Sequence, residues 1–141
     1  MTGYTRQFTE IIHRVLAGIT PEQGMALHLW ANKLLTLRTS TKSRTEKLQD
    51  IIRLTRDAKI LFPLIKKIFM ELKRAGWDES SWKSKAGMGA AIWASLIIGK
   101  AAAGIALLGG AIAVPLWIVF GTGDKFVKAL IAELKKRMPA L

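Results

Sequence analysis

The chain contains no cysteine, which excludes disulfides, thiolate metal sites and thiol nucleophiles and leaves the redox compartment unread. Histidine is scarce as well, with His13 and His28 alone. Acidic residues are few: 10 Asp and Glu stand against 22 Lys and Arg in 141 residues, a formal charge of +12. Such an excess favours a polyanionic partner, either nucleic acid or a membrane face rich in acidic lipid. There is no glycine-rich loop followed by Lys and Ser or Thr to cradle a phosphate, and no nucleophile paired with a base. The reading is therefore of a non-enzyme, with no catalytic residue, cofactor or metal assigned. Residues Met1 to Gln7 lack the basic start and apolar stretch of a cleavable signal, which places the N-terminal part in the cytoplasm.

Apolar periodicity predicts an all-α chain. Phe8, Ile11, Ile12, Val15, Leu16 and Ile19 recur at three- and four-residue spacing over 5–19, one face of a helix that Gly18 should end. Thr20, Pro21 and Gln23 have the order of an N-cap, a first helical position and a capping box. The second helix should run to about Leu37 and bury Met25, Leu29, Trp30, Leu34 and Leu37. Polar, basic residues 38–45 read as a connection. Ser43 and Glu46 offer a second capping box, for a helix burying Leu48, Ile51, Ile52, Thr55, Ala58 and Leu61. Pro63 should kink or break it, after which Leu64, Ile65, Ile68, Phe69 and Leu72 resume the pattern as far as Gly76.

The composition then changes. Residues 1–85 carry 16 basic and 8 acidic side chains, whereas the 38 residues of 86–123 carry one charge, Lys100. A bilayer core needs roughly 20 helical residues to cross, and 101–120 supplies that length without a charge. Nine Ile, Leu, Val and Phe residues there contribute on the order of −4 kcal/mol to insertion before the glycines and Pro115 reduce it. A hairpin over 86–123 with Lys100 near the far interface is preferred to a single span, because it leaves both basic flanks on one side. Its first arm is short, about 21 Å, and would have to thin the bilayer or remain re-entrant.

Small residues fall in rows at four-residue spacing: Gly87, Ala91, Ser95, Gly99 and Ala103, and again Ala102, Ala106 and Gly110. Such glycine-zipper rows let helices approach closely in lipid and imply a homo-oligomer or an intrachain helix pair. Trp77, Trp82, Lys83 and Lys85 before the segment, and Trp117 near its other end, resemble an interfacial belt. Beyond it, Phe126, Val127, Leu130, Ile131 and Leu134 share one helical face, with Lys125, Lys128, Lys135, Lys136 and Arg137 elsewhere. That combination suits an interfacial helix on acidic lipid; the plainer alternative is a bundle helix with basic residues in its last turn.

Three parts follow: a cytoplasmic helical domain over 1–85, a membrane-inserting hairpin or span over 86–123 and a basic amphipathic helix over 124–141. The expected function is a small membrane-acting effector or toxin that self-associates and perturbs or perforates an acidic bilayer, a plan shared with helical pore-forming toxins by analogy of architecture only. A second reading is a membrane-tethered module whose basic helices hold a protein or nucleic acid. Lys42, Arg44, Lys47, Arg53, Arg56 and Lys59 could meet phosphates, but they lack interleaved aromatics, and Asp50 and Asp57 lie at helical spacing from Arg53. A third is a ribonuclease, since Arg6 and His13 have the spacing of the Arg-x(4 to 6)-His motif in a class of small helical ribonucleases. Glu10 and His13 match half of a di-iron motif whose other half is missing. Permanent solubility, with helices wrapping the apolar segment, is the remaining alternative; a mean hydropathy of only +0.24 is low for a multispan protein.

Overall fold

The computed structural model describes residues 3–77 and 113–140, with side chains from residue 7 onward. All regular structure among these residues is helical: α1 (Gly3–Leu16), α2 (Pro21–Thr39), α3 (Arg44–Asp57), a 3-10 turn (Lys59–Leu61), α4 (Phe62–Arg74), α5 (Ala113–Phe120) and α6 (Asp124–Arg137). None of these helices is long and apolar enough to cross a membrane. The small-residue rows, Lys100, Trp82, Lys83 and Lys85 lie outside the described residues.

Local chemistry sets the helix ends. Thr20 accepts a hydrogen bond from the Gln23 amide at 3.1 Å while the Gln23 side chain accepts one from the Thr20 amide at 3.0 Å, so the expected capping box forms, with Pro21 in the first turn. At α3 the Ser43 hydroxyl accepts from the Glu46 amide at 3.2 Å, but the Glu46 carboxylate accepts a hydrogen bond from the Ser43 hydroxyl and not from its backbone amide. Helix α3 stops at Asp57, earlier than its apolar spacing suggests, and Leu61 is buried from the 3-10 turn. Pro63 falls in the first turn of α4, where its missing amide has no intrahelical partner to lose. Gly76 closes α4 with φ of 97°. The Trp77 amide reaches the Leu72 carbonyl at 2.9 Å and the Gly76 amide reaches Lys73 at 3.1 Å, the two bonds of a Schellman ending. Trp77 then packs edge-on against Phe69, ring centroids 5.7 Å apart.

The buried faces of α1, α3, α4 and α6 are those that periodicity picks out, with Phe8, Ile19, Ala58 and Phe69 partly buried at their margins. Helix α2 is the exception. It buries Gly24, Leu27, Trp30, Ala31, Leu34 and Leu37, and leaves Met25 and Leu29 each 55% exposed, contrary to expectation. Apolar residues lie all round α2, so spacing alone does not fix its inward side. What fixes it is its neighbours, since α2 packs against α3, the 3-10 turn, α5 and α6. Helix α1 lies against α4 and α6, and α5 is held among α2, α3, α4 and α6. Residues from 1–85, 86–123 and 124–141 thus contribute to a single apolar core.

Within this core the Thr55 hydroxyl oxygen is fully buried and has no hydrogen-bond partner among the described residues. A buried unpaired hydroxyl costs about 1–3 kcal/mol. Thr55→Val, which replaces it by a methyl in the same volume, is expected to raise the unfolding free energy by about 1 kcal/mol in urea titration.

Candidate functional site

Helix α5, with the sequence Ala-Val-Pro-Leu-Trp-Ile-Val-Phe, has no polar side chain, and its first seven residues are buried. Burying Val114, Leu116, Ile118 and Val119 is worth on the order of 10 kcal/mol at about 1.5–3 kcal/mol per side chain. Trp117, 3% exposed, is the hub of an aromatic cluster. Its ring centroid lies 6.0 Å from Phe8, 5.5 Å from Trp77 and 5.7 Å from Phe126, and Phe8 meets Phe126 at 5.4 Å. The indole N–H donates to the Thr122 hydroxyl at 3.1 Å, so the one polar atom of this large side chain is satisfied.

The C-terminal end of α5 is where charge enters. One Arg38 nitrogen, Nη1, donates to the carbonyls of Ile118 at 2.9 Å and Gly121 at 2.6 Å, with Val119 at 3.5 Å. The other, Nη2, lies 3.8 Å from the Asp124 carboxylate at the start of α6. Arg44 stands over the Phe120 ring, 6.0 Å from its centroid. A guanidinium among the last carbonyls of a helix meets their partial negative charge and gives orphan acceptors a donor. Arg38 is itself held from behind, because Lys47 donates to its carbonyl at 3.3 Å. The α5–α6 turn is equally tight. A Cβ on Gly123 would lie 2.8 Å from two Trp117 ring atoms and 2.9 Å from the Ile118 Cα, so only glycine fits there.

The structure places the expected site residues unevenly. Trp77 and Trp117, expected at opposite ends of the apolar segment, are ring neighbours inside the bundle. The apolar stripe of α6 faces the core, and Lys125, Lys128, Lys135, Lys136 and Arg137 are exposed on its other side. Arg137 pairs with Glu133 at 3.3 Å, and Glu133 also meets His13 at 3.3 Å. Glu10 and His13 are both exposed on α1. Just before α3, Lys42 pairs with Asp50 of that helix at 2.6 Å, and within it Arg53 approaches Asp50 at 3.8 Å and Arg56 approaches Asp57 at 3.9 Å, the pairing of a solvated face. Arg38 and Gly123 were not singled out by pattern: one falls in an aperiodic basic stretch, the other at the edge of a glycine-rich segment.

A cleft of about 200 Å³ opens between α1 and α4 beside Glu71, which is 9% exposed and paired with Arg14 at 3.0 Å and Arg74 at 3.4 Å. It is smaller than the ~300–1,000 Å³ of ordinary ligand sites. Among the described residues no group of three His, Asp or Glu side chains is arranged to hold a metal ion. Comparisons with protein families, with curated proteins and with solved structures find no match to this chain. The candidate site is the sheathed helix α5 with the arginine clasp at its end.

Two substitutions test the clasp. Gly123→Ala should cost about 1–3 kcal/mol, because Trp117 or the turn must move to admit the methyl. Arg38→Ala should cost about 2 kcal/mol through the loss of charge-assisted bonds to buried carbonyls. Urea unfolding of both variants against the parent measures these losses, and parental midpoints would show that the junction is not under tension.

Proposed function

We propose that this protein is a small membrane-acting effector that carries the apolar helix α5 folded inside a helical sheath and delivers its apolar segment to an acidic bilayer, where copies associate and perturb or perforate the membrane. The observation that carries this reading is that α5, wholly apolar, is enclosed by α2, α3, α4 and α6 and held at its end by Arg38. Eight helical residues reach only about 12 Å, so α5 alone does not span a bilayer. Together with the charge-free stretch before it, residues 101–120 reach the necessary length.

The energetics favour transfer at a surface over release into water. Exposing α5 to water costs on the order of 10 kcal/mol, whereas lipid returns most of that apolar transfer energy. Acidic headgroups also offer Arg38 and Arg44 phosphate oxygens in exchange for helix carbonyls and an aromatic face. The net charge of +12 draws the folded protein to such a surface. After insertion, the rows Gly87, Ala91, Ser95, Gly99, Ala103 and Ala106, Gly110 provide the surface for association, with Lys100 lining water or lying at the interface. Residues before the segment and the tail after it then remain on the cytoplasmic side, with Trp82, Lys83, Lys85 and the α6 lysines near the headgroups.

Dye-loaded vesicles containing acidic lipid test the proposal. The full-length protein should release dye, Gly99→Leu and Gly110→Leu should abolish release, and Arg38→Ala should release dye faster than the parent because its sheath opens more readily. Vesicles left intact by the parent at high protein-to-lipid ratio would overturn it.

A further inference from the structure

The outward face of α4 combines exposed cations with an exposed apolar side chain. Pro63, Lys66, Lys67, Met70, Lys73 and Arg74 follow one another at helical spacing and are all exposed. The single acidic residue of α4, Glu71, is buried against Arg14 and meets this face only through Arg74, at 3.4 Å. Lys66 and Lys67 have no ion-pair or hydrogen-bond partner among the described residues. On α3, in contrast, Asp50 and Asp57 neutralise the neighbouring cations. Amid the α4 cations stands Met70, 62% exposed, the most exposed of the large apolar side chains described.

We infer that this face is the surface by which the folded protein first docks on an anionic lipid bilayer, with Lys66, Lys67, Lys73 and Arg74 at the headgroups and Met70 entering between them. The inference takes the membrane as partner from the proposed function, but it concerns the folded state before any insertion. Lys66 and Lys67, two cations without a counter-charge among the described residues, suit a flat anionic surface, to which each adds about fivefold in partitioning. An exposed thioether gains nothing from a phosphate backbone and gains burial in the acyl boundary. Phe69, the aromatic side chain beside this face, is half-buried against Trp77 with Lys73 5.5 Å from its ring centroid, so it presents no open platform on which nucleic-acid bases would stack. The apolar side of α4 stays in the core throughout, since Leu64, Ile65, Ile68 and Leu72 pack within the bundle.

Partitioning of the full-length chain into vesicles of pure phosphatidylcholine and vesicles enriched in phosphatidylserine tests this. Lys66→Gln/Lys67→Gln should weaken binding to the acidic vesicles about twenty-five-fold at low salt, at about fivefold per cation. Lys33→Gln/Arg53→Gln, which loses the same charge from exposed sites on α2 and α3, should change it less than about threefold. Because the chain has no cysteine, Met70→Cys creates a unique site for an environment-sensitive dye. Its emission should shift to the blue on acidic vesicles, and that of a dye at Gln49→Cys should not. An equal loss in both charge variants, equal binding of the parent to neutral vesicles, or an unshifted dye at position 70 overturns the inference, as does parental binding to RNA or an acidic peptide without binding to vesicles. Dye release separates the two readings. Docking through α4 without leakage supports this inference and removes the proposed function, whereas leakage by Lys66→Gln/Lys67→Gln with undiminished partitioning does the reverse.

Discussion

A helix with no polar side chain has no direction in which it can face water, and α5 imposes that condition on everything around it. An amphipathic helix needs cover on one side only; α5 needs it on all sides, and four helices supply it. The same condition accounts for α2. A helix placed between α5 on one side and α3 and α6 on others must be apolar over most of its circumference, which is what its sequence provides. The two large apolar side chains it leaves in solvent, Met25 and Leu29, are a by-product of that composition.

The end of α5 is a different problem, because backbone carbonyls cannot be made apolar. Arg38 resolves it by reaching from the last turn of α2 to three carbonyls and a carboxylate. Both links depend on a close fit. Gly123 lets the chain reverse against the Trp117 ring, so that α6 can begin beside the helix it follows and place Phe126 in the aromatic cluster. Apolar enclosure and a single charged fastening therefore act on the same short element.

Much of this fold was legible in the sequence, for identifiable reasons. Amphipathic helices with one wet side write their inward face into their spacing, and α1, α3, α4 and α6 did so. Helix ends are local, so the Thr20 and Gln23 capping box and the stop at Gly76 could be read within a few residues. What stayed hidden was non-local or had no residue signature. The inward side of α2 was set by its neighbours, and α3 ended at Asp57 although its apolar spacing continued to Leu61. Arg38 looked like one more cation in a basic stretch, because carbonyls 80 residues away leave no mark in a sequence. Trp117 was read as part of a membrane-interface belt from its place near the end of an apolar segment, a place that equally suits a protein interior.

The long reach of the Arg38 clasp also bears on biosynthesis. Its acceptor carbonyls lie some 80 residues downstream, and α6, which covers both α1 and α2, is made later still. A ribosome therefore releases α1 to α4 well before α5 and the α6 helix that completes the sheath, and the nascent chain must keep its half-built interior from aggregation or from premature capture by any nearby hydrophobic phase. Contacts between the chain's distant halves close its longest loops and are of the kind that forms slowly, which leaves the unfinished interior exposed until the C-terminal helix has been made.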